Sequence, residues 1–458
     1  MSAVTIARKA EEAAVLPGRI RPVPERRATR ARWGEIELYR VGAALAVVAY
    51  HIRQSMQVHV YAPERQGLHV GSDYPYQSVA WFEFVMTNID VVVDFFFVIS
   101  GFLLALPWVR SVVNQTPAPS VRAWAIGRMA RVIPLYWFLV VIVWATRNYS
   151  FPAEWRDLVE HLTFTQWLDS KRIFWTLGPA WSLAVEVGLY FLIPLLLVVV
   201  AKPIRRLSAR GARLFVLSLP VMAVGAASVG FKYWVAHNDA IDHTNWSWDF
   251  GVPAKADLFC VGILVAILFI ALKEARMPAW CGVVVRLLSF LAIYYISAMR
   301  VERQGDWLTY YHSLAALPMA GLTIAVVLSK PGRLSPLLNS KPIVLGGSLT
   351  FALYLGHEPL FYPLEGLGWL SHREDMLLVN WAVTIPLAIA FAYVLHKVIE
   401  TPAMRLRNLF DERGRHKEFY PDLVEEERPT AALPTQRRRG SRRTAEDREL
   451  VGSGQRAS

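Results

Sequence analysis

The chain is organised by long apolar stretches with charged segments between them. Stretches near 36–56, 83–106, 132–147, 181–201, 212–230, 256–272, 280–298, 311–329, 343–363 and 376–399 approach the roughly 20 residues that a helix needs to cross hydrocarbon. A bilayer accepts such segments as helices because each backbone amide then finds its partner within its own segment. Only 19% of the residues are charged, and 54% are hydrophobic. The expected fold is therefore all-α, a polytopic bundle of ten transmembrane helices. Pro359 and Pro363 interrupt the ninth stretch, "TFALYLGHEPLFYPL".

The basic residues set an expected orientation. Arginine and lysine crowd the N-terminal arm, the connection carrying Arg110, Arg122, Arg128 and Arg131, the run "KPIRRLSAR", and the connections carrying Lys273, Arg276 and Arg286 and then Lys330, Arg333 and Lys341. The opposite loops dilute theirs with acidic residues, as in "EWRDLVEHLTFTQWLDSKR". The positive-inside rule then puts both termini in the cytoplasm. The formal net charge of +12 follows this topology, so it does not point to nucleic acid. Residues 1–35 read as a basic cytoplasmic arm and not as a signal peptide, because the apolar run after them is too long. Residues 36–405 form the membrane domain. Residues 411–458 read as a polar, disordered tail whose "RRRGSRR" either meets anionic lipid or only fixes orientation. Cys260 and Cys281 have neither disulfide nor metal-ligand spacing.

Chemistry is expected where ionisable side chains enter the spans, since each costs about 2.5–3.5 kcal/mol at a helix centre. Arg40 and His51 are three helical turns apart on nearly one face, about 16 Å along the axis. Histidine can serve as a general base near neutral pH. The blander readings are a snorkelling Arg40 and a His51 that only bonds a neighbouring helix. Arg128 and Arg131, one turn apart, suit a phosphorylated ligand through their planar forks of donors. Glu186 lies in the outer half of span four, at a depth like that of His51, with Trp181 at the interface. His357 falls mid-membrane. Asp94 sits beside Phe95, Phe96 and Phe97 in "DVVVDFFFVISGFLL" and should face the bundle, where it can pair with Arg53 or approach His51. Ser100–Gly101 then offers a groove for a helix or for a substrate arm.

In their order, the Arg40–His51 pair, "FFFVISGFLL", "RMARVIPLYW", "AWSLAVEVGLYFLIPL", "FALYLGHEPLF" and "KVIETPAMRL" resemble the acyltransferase-3 family of integral membrane acyltransferases, over residues 36–405. The resemblance implies transfer of an acyl group, short or acetyl, from cytoplasmic acyl-CoA to a hydroxyl of a sugar, glycolipid, polysaccharide or small metabolite at the outer face of a bacterial cytoplasmic membrane. It implies His51 as the catalytic histidine, Arg40 as its essential partner, and Arg128 and Arg131 as donor-binding residues. Glu186 takes the acidic position of span four, with Asp94, Ser100, Trp181 and His357 in support, and no metal is expected. The sequence departs from the family pattern at Val187, where an acidic residue is common, and at Gly356, where tryptophan is common. The esterase-like domain of some relatives is expected to be absent. The rival reading is a proton-coupled transporter or flippase, which also places ionisable groups in spans but commonly shows an internal repeat.

Overall fold

The computed structural model describes residues 25–56, 79–147, 155–242, 244–273, 275–302, 306–371 and 373–410. The expected disordered tail from 411 and the first 24 residues of the arm lie outside them. Among the described residues the secondary structure is helical, with a single isolated bridge between Met277 and Ser329. The principal helices are α1 (Glu25–Ser55), α2 (Ala80–Thr87), α3 (Val91–Val113), α4 (Val121–Arg147), α5 (Trp155–Leu162), α6 (Ala180–Arg205), α7 (Arg210–Ala236), α8 (Val252–Ala271), α9 (Ala279–Glu302), α10 (Asp306–Leu328), α11 (Lys341–Gly366), α12 (Leu377–Leu395) and α13 (Thr401–Phe410). A π-helical turn, His396–Glu400, joins the last two. Helix α1 begins at Glu25, within the expected arm.

Among the described residues, seven helical segments are long and apolar enough to cross a membrane: Ala80–Val113, Val121–Thr146, Arg210–Ala236, Ser247–Ala271, Ala279–Arg300, Leu308–Leu328 and Leu377–Arg405. The other expected spans are helical too, as α1, α6 and α11. Pro359 and Pro363 do not break α11, which runs on to Gly366. The outer helices carry their apolar side chains outward. On α9, Leu287 and Leu291 are 63% and 62% exposed. Water would penalise such a surface, whereas lipid tails accommodate it.

The centre is the crossing of α3 and α8, the two most buried of these segments. Two glycines let their backbones touch. A methyl group on Gly101 would meet the carbonyl of Phe259, and one on Gly262 would lie 3.0 Å from the Cα of Gly101. Close approach through small residues is a common way for helices to associate in membranes. So the Ser100–Gly101 groove receives a helix, α8. Asp94 lies two turns before Gly101, on the same face of α3, and this crossing turns it toward α8 and α10.

That rotation overturns the expected partners of Asp94. It pairs neither with Arg53 nor with His51. His312 Nδ1 of α10 lies 2.7 Å from Asp94 Oδ2, while Arg53 donates to Glu83 of α2 at 2.5 Å. Other charges in the bundle are matched as well. Arg300 bridges both oxygens of Asp90 at 2.8 and 2.9 Å, and Lys232 both oxygens of Asp257 at 2.8 Å. An ion withdrawn from water costs several kcal/mol, so a close partner is the condition for keeping it there.

The glycine crossing makes a direct prediction. Gly262→Val forces a side chain into backbone and should cost more than the ~1–3 kcal/mol typical of overpacking. Gly42→Ala on α1, where a methyl meets nothing within 4 Å, should be neutral or stabilising. Thermal unfolding of the two variants in detergent should show a large drop in Tm for the first and none for the second.

Candidate functional site

Helices α1 and α11 pack side by side, and each brings a histidine to the contact. His51, one turn before the end of α1, sets its Nδ1 2.7 Å from Nε2 of His357. The rings are almost parallel, with an interplanar angle of 6°. His357 is fully buried, and its own Nδ1 lies 3.1 Å from the carbonyl of Leu353, one turn back on α11.

These contacts fix where the hydrogens sit. A carbonyl only accepts, so Nδ1 of His357 carries a hydrogen. In the neutral ring Nε2 then holds a lone pair, and His51 must donate to it from Nδ1. The Nε2 of His51 is left with its lone pair. That is the tautomer a general base needs, set by a neighbour on another helix as the carboxylate sets the histidine of a hydrolase triad.

A second group lies deeper along the same helices. Arg40 donates to Glu37 Oε2 at 2.9 Å and to Thr350 Oγ1 of α11 at 3.0 Å. It also lies within electrostatic range of Arg131, Glu186 and Tyr190. Tyr190, one turn after Glu186 on α6, feels the charge of that carboxylate and of Arg128 and Arg131. The Arg128 guanidinium stands 5.8 Å from the Tyr190 ring centroid. Ser100 of α3 donates its hydroxyl hydrogen to Glu186. Arg40 from α1 and Arg128 and Arg131 from α4 thus gather near Tyr190 and Glu186 of α6.

Tyr354 joins the two groups. Its hydroxyl lies 2.8 Å from Ser182 Oγ, its ring centroid is 6.3 Å from that of His357, and it feels the charge of Glu186. Trp181, beside Ser182, contacts the ring of Phe97 at 6.1 Å. The result is a track of neighbouring polar and aromatic side chains that leads from the arginines past Glu186 and Tyr354 to the histidines. Its walls come from α1, α3, α4, α6 and α11.

Of the residues expected from the sequence, Arg40, Arg128, Arg131, Glu186 and Ser100 form one group, and His51 and His357 another. Trp181 stands beside the link. Asp94 belongs to the separate network with His312. Glu186 does not touch His51, whose Nδ1 is taken by His357. Tyr354, Tyr190, Ser182 and Thr350 were not singled out in the sequence. Tyr190 follows Glu186 by four residues and Tyr354 precedes His357 by three, so helical spacing from either known residue would have found them. Among the described residues no group of three or more His, Cys, Asp or Glu is placed to hold a metal ion.

Residues 33–397 match a family model described as an acyltransferase domain. The acyltransferase MdmB of Streptomyces mycarofaciens is 28% identical over 408 residues, which are 84% of this chain and 94% of MdmB. The O-acetyltransferase OatA of Staphylococcus aureus is 24% identical over 335 residues, 68% of this chain and 52% of OatA, so the chain matches about half of OatA's length. No solved structure matches. The bundle, its apolar exterior and a family match over most of its length lead to one assignment: the chain belongs to the acyltransferase-3 family and is a multi-pass integral membrane enzyme that transfers acyl groups.

Proposed function

We propose that the protein is an O-acyltransferase that carries a short acyl group across the bilayer, from cytoplasmic acyl-CoA to a hydroxyl at the outer face. The observation that carries this reading is the His51–His357 pair, which leaves a lone pair on His51 Nε2 at one end of a track whose other end is arginine-rich. The basic connections favour a ten-span bundle with both termini and the arginine end cytoplasmic and the histidines in the outer half. The names of MdmB and OatA favour an acyl or acetyl group as cargo and oxygen as its destination.

Arg128 and Arg131 bind the phosphates of the donor, and the thioester arm extends along the track toward Tyr354. Arg40 compensates negative charge between the two ends. His51 Nε2 removes the proton from the acceptor hydroxyl, and the oxygen attacks the thioester carbonyl. The C–O bond forms, the C–S bond breaks, and CoA leaves as a thiolate that regains a proton from the imidazolium. The same lone pair can instead take the acyl group first, as an acyl-imidazole that the hydroxyl then resolves. His357 positions His51 and holds it in the required tautomer. Glu186, held by Ser100, balances the arginines and bounds the path of the arm.

The test uses purified protein, radiolabelled acetyl-CoA and a panel of hydroxylated acceptors, following CoA release and labelled product. His51→Ala should lower turnover by at least about 100-fold, the low end for loss of a general base. Equal turnover in wild type and His51→Ala would remove the histidine from the reaction. No CoA release from any acyl-CoA with any acceptor would shift weight to a carrier. His357→Ala should reduce kcat on the order of 100-fold with KM little changed. His357→Gln, whose amide oxygen can still accept from His51 Nδ1, should recover part of that loss. If alanine and glutamine cost the same, His357 has only a packing role.

A further inference from the structure

Lys255 is a buried cation that the acyl-transfer track does not use. It lies in the first turn of α8 and is 4% exposed. The acidic residue nearest to it on its own helix, Asp257, already takes Lys232 on both oxygens and Ser228 at 3.1 Å. Among the described residues Lys255 has two neighbours of attractive character, both aromatic. Its Nζ stands 5.2 Å from the Phe250 ring centroid and 5.8 Å from that of Trp181. It also lies within electrostatic range of a second cation, Lys232. Two cation–π contacts offset only part of the cost of holding an ammonium there. Burying an ammonium costs several kcal/mol, so these contacts leave the site short of negative charge.

The surroundings add a shape. Trp181 and Phe250 meet edge to face with centroids 4.6 Å apart, and Phe174 and Trp246 contact Phe250 at 5.3 and 5.9 Å. These rings are half-buried, and the ammonium stands against two of them. Flat aromatic faces with a polar element at the edge suit a ring that has an apolar face and a polar rim. The cluster adjoins the reaction track, since Ser182, next to Trp181, holds Tyr354, whose ring contacts His357.

We propose that Lys255, Trp181 and Phe250 form an acceptor subsite for a sugar bearing an anionic group, a carboxylate or a phosphate. The inference rests on the reading that the acceptor hydroxyl is supplied at the histidine end of the track. In the bound state the anion pairs with the Lys255 ammonium and the sugar ring lies against the aromatic faces, which leaves a free hydroxyl to turn toward His51.

The test measures binding alone, without acyl donor, so it does not depend on whether transfer occurs. Purified protein would be titrated with methyl glucuronide, glucose 1-phosphate and methyl glucoside by saturation-transfer NMR. Wild type should bind at least one anionic probe about 10-fold more tightly than the neutral one, a difference of about 1.4 kcal/mol. Which probe is preferred separates carboxylate from phosphate. Lys255→Met should erase the preference while retaining weak binding of methyl glucoside. It should also raise Tm or leave it unchanged, because a lone buried ammonium is removed. Equal binding of all three probes by wild type would overturn the proposal, even if no variant folds. So would a Lys255→Met protein that keeps the preference for the anion.

Discussion

Everything in this bundle follows from the cost of placing charge where water is scarce. Arg53 with Glu83, Arg300 with Asp90, His312 with Asp94 and Lys232 with Asp257 are all cross-helix pairs, and each ties together two elements that lipid alone would leave indifferent to one another. Apolar side chains cannot specify which helix faces which, because lipid tails satisfy them equally well. The specific rotation of each helix is set by these pairs and by glycine contacts such as Gly101 with Gly262. The same constraint separates structure from chemistry. Charges matched one to one fix the scaffold, while the arginine-rich group near Glu186 and the histidine whose Nε2 keeps its lone pair are where a substrate can be received.

The helices were legible in the sequence because their signal is one-dimensional. Runs of about 20 apolar residues need no knowledge of neighbours, and all ten expected spans coincide with helices, including α11 across its prolines. Arg40, His51, Arg128, Arg131, Glu186 and His357 stood out for a similar reason, as polar residues in apolar surroundings. Their partners did not. Whether Asp94 meets Arg53 or His312 depends on the rotation of α3, and that rotation is decided by a backbone contact with residue 262, far along the chain. The His51–His357 bond joins residues 306 positions apart, and no local pattern announces it. Tyr354 and Lys255 were passed over because tyrosine blends into an aromatic-rich span and a lysine near a helix start reads as an interfacial anchor.

The arrangement also accounts for the separation of Arg40 from His51. Placed three turns apart on α1, they cannot act as a contact pair. Each instead joins a different group on α11: Arg40 meets Thr350 and His51 meets His357. The α1–α11 contact therefore ties the arginine group and the histidine pair together as one unit. Glu186, Ser182 and Trp181 on α6 line the opposite side, with the Lys255 cluster beyond.

The central claim is that this track carries an acyl group from one side of the membrane to the other. The most direct measurement uses proteoliposomes with acyl-CoA sealed inside and a hydroxylated acceptor supplied only outside, with the protein orientation sorted by proteolysis of the exposed C-terminal tail. The account predicts outside product and internal CoA in equal amounts, from the population whose tail is inside. Product formed only when donor and acceptor share one compartment would contradict it, and would place both substrates on the same face of the bundle.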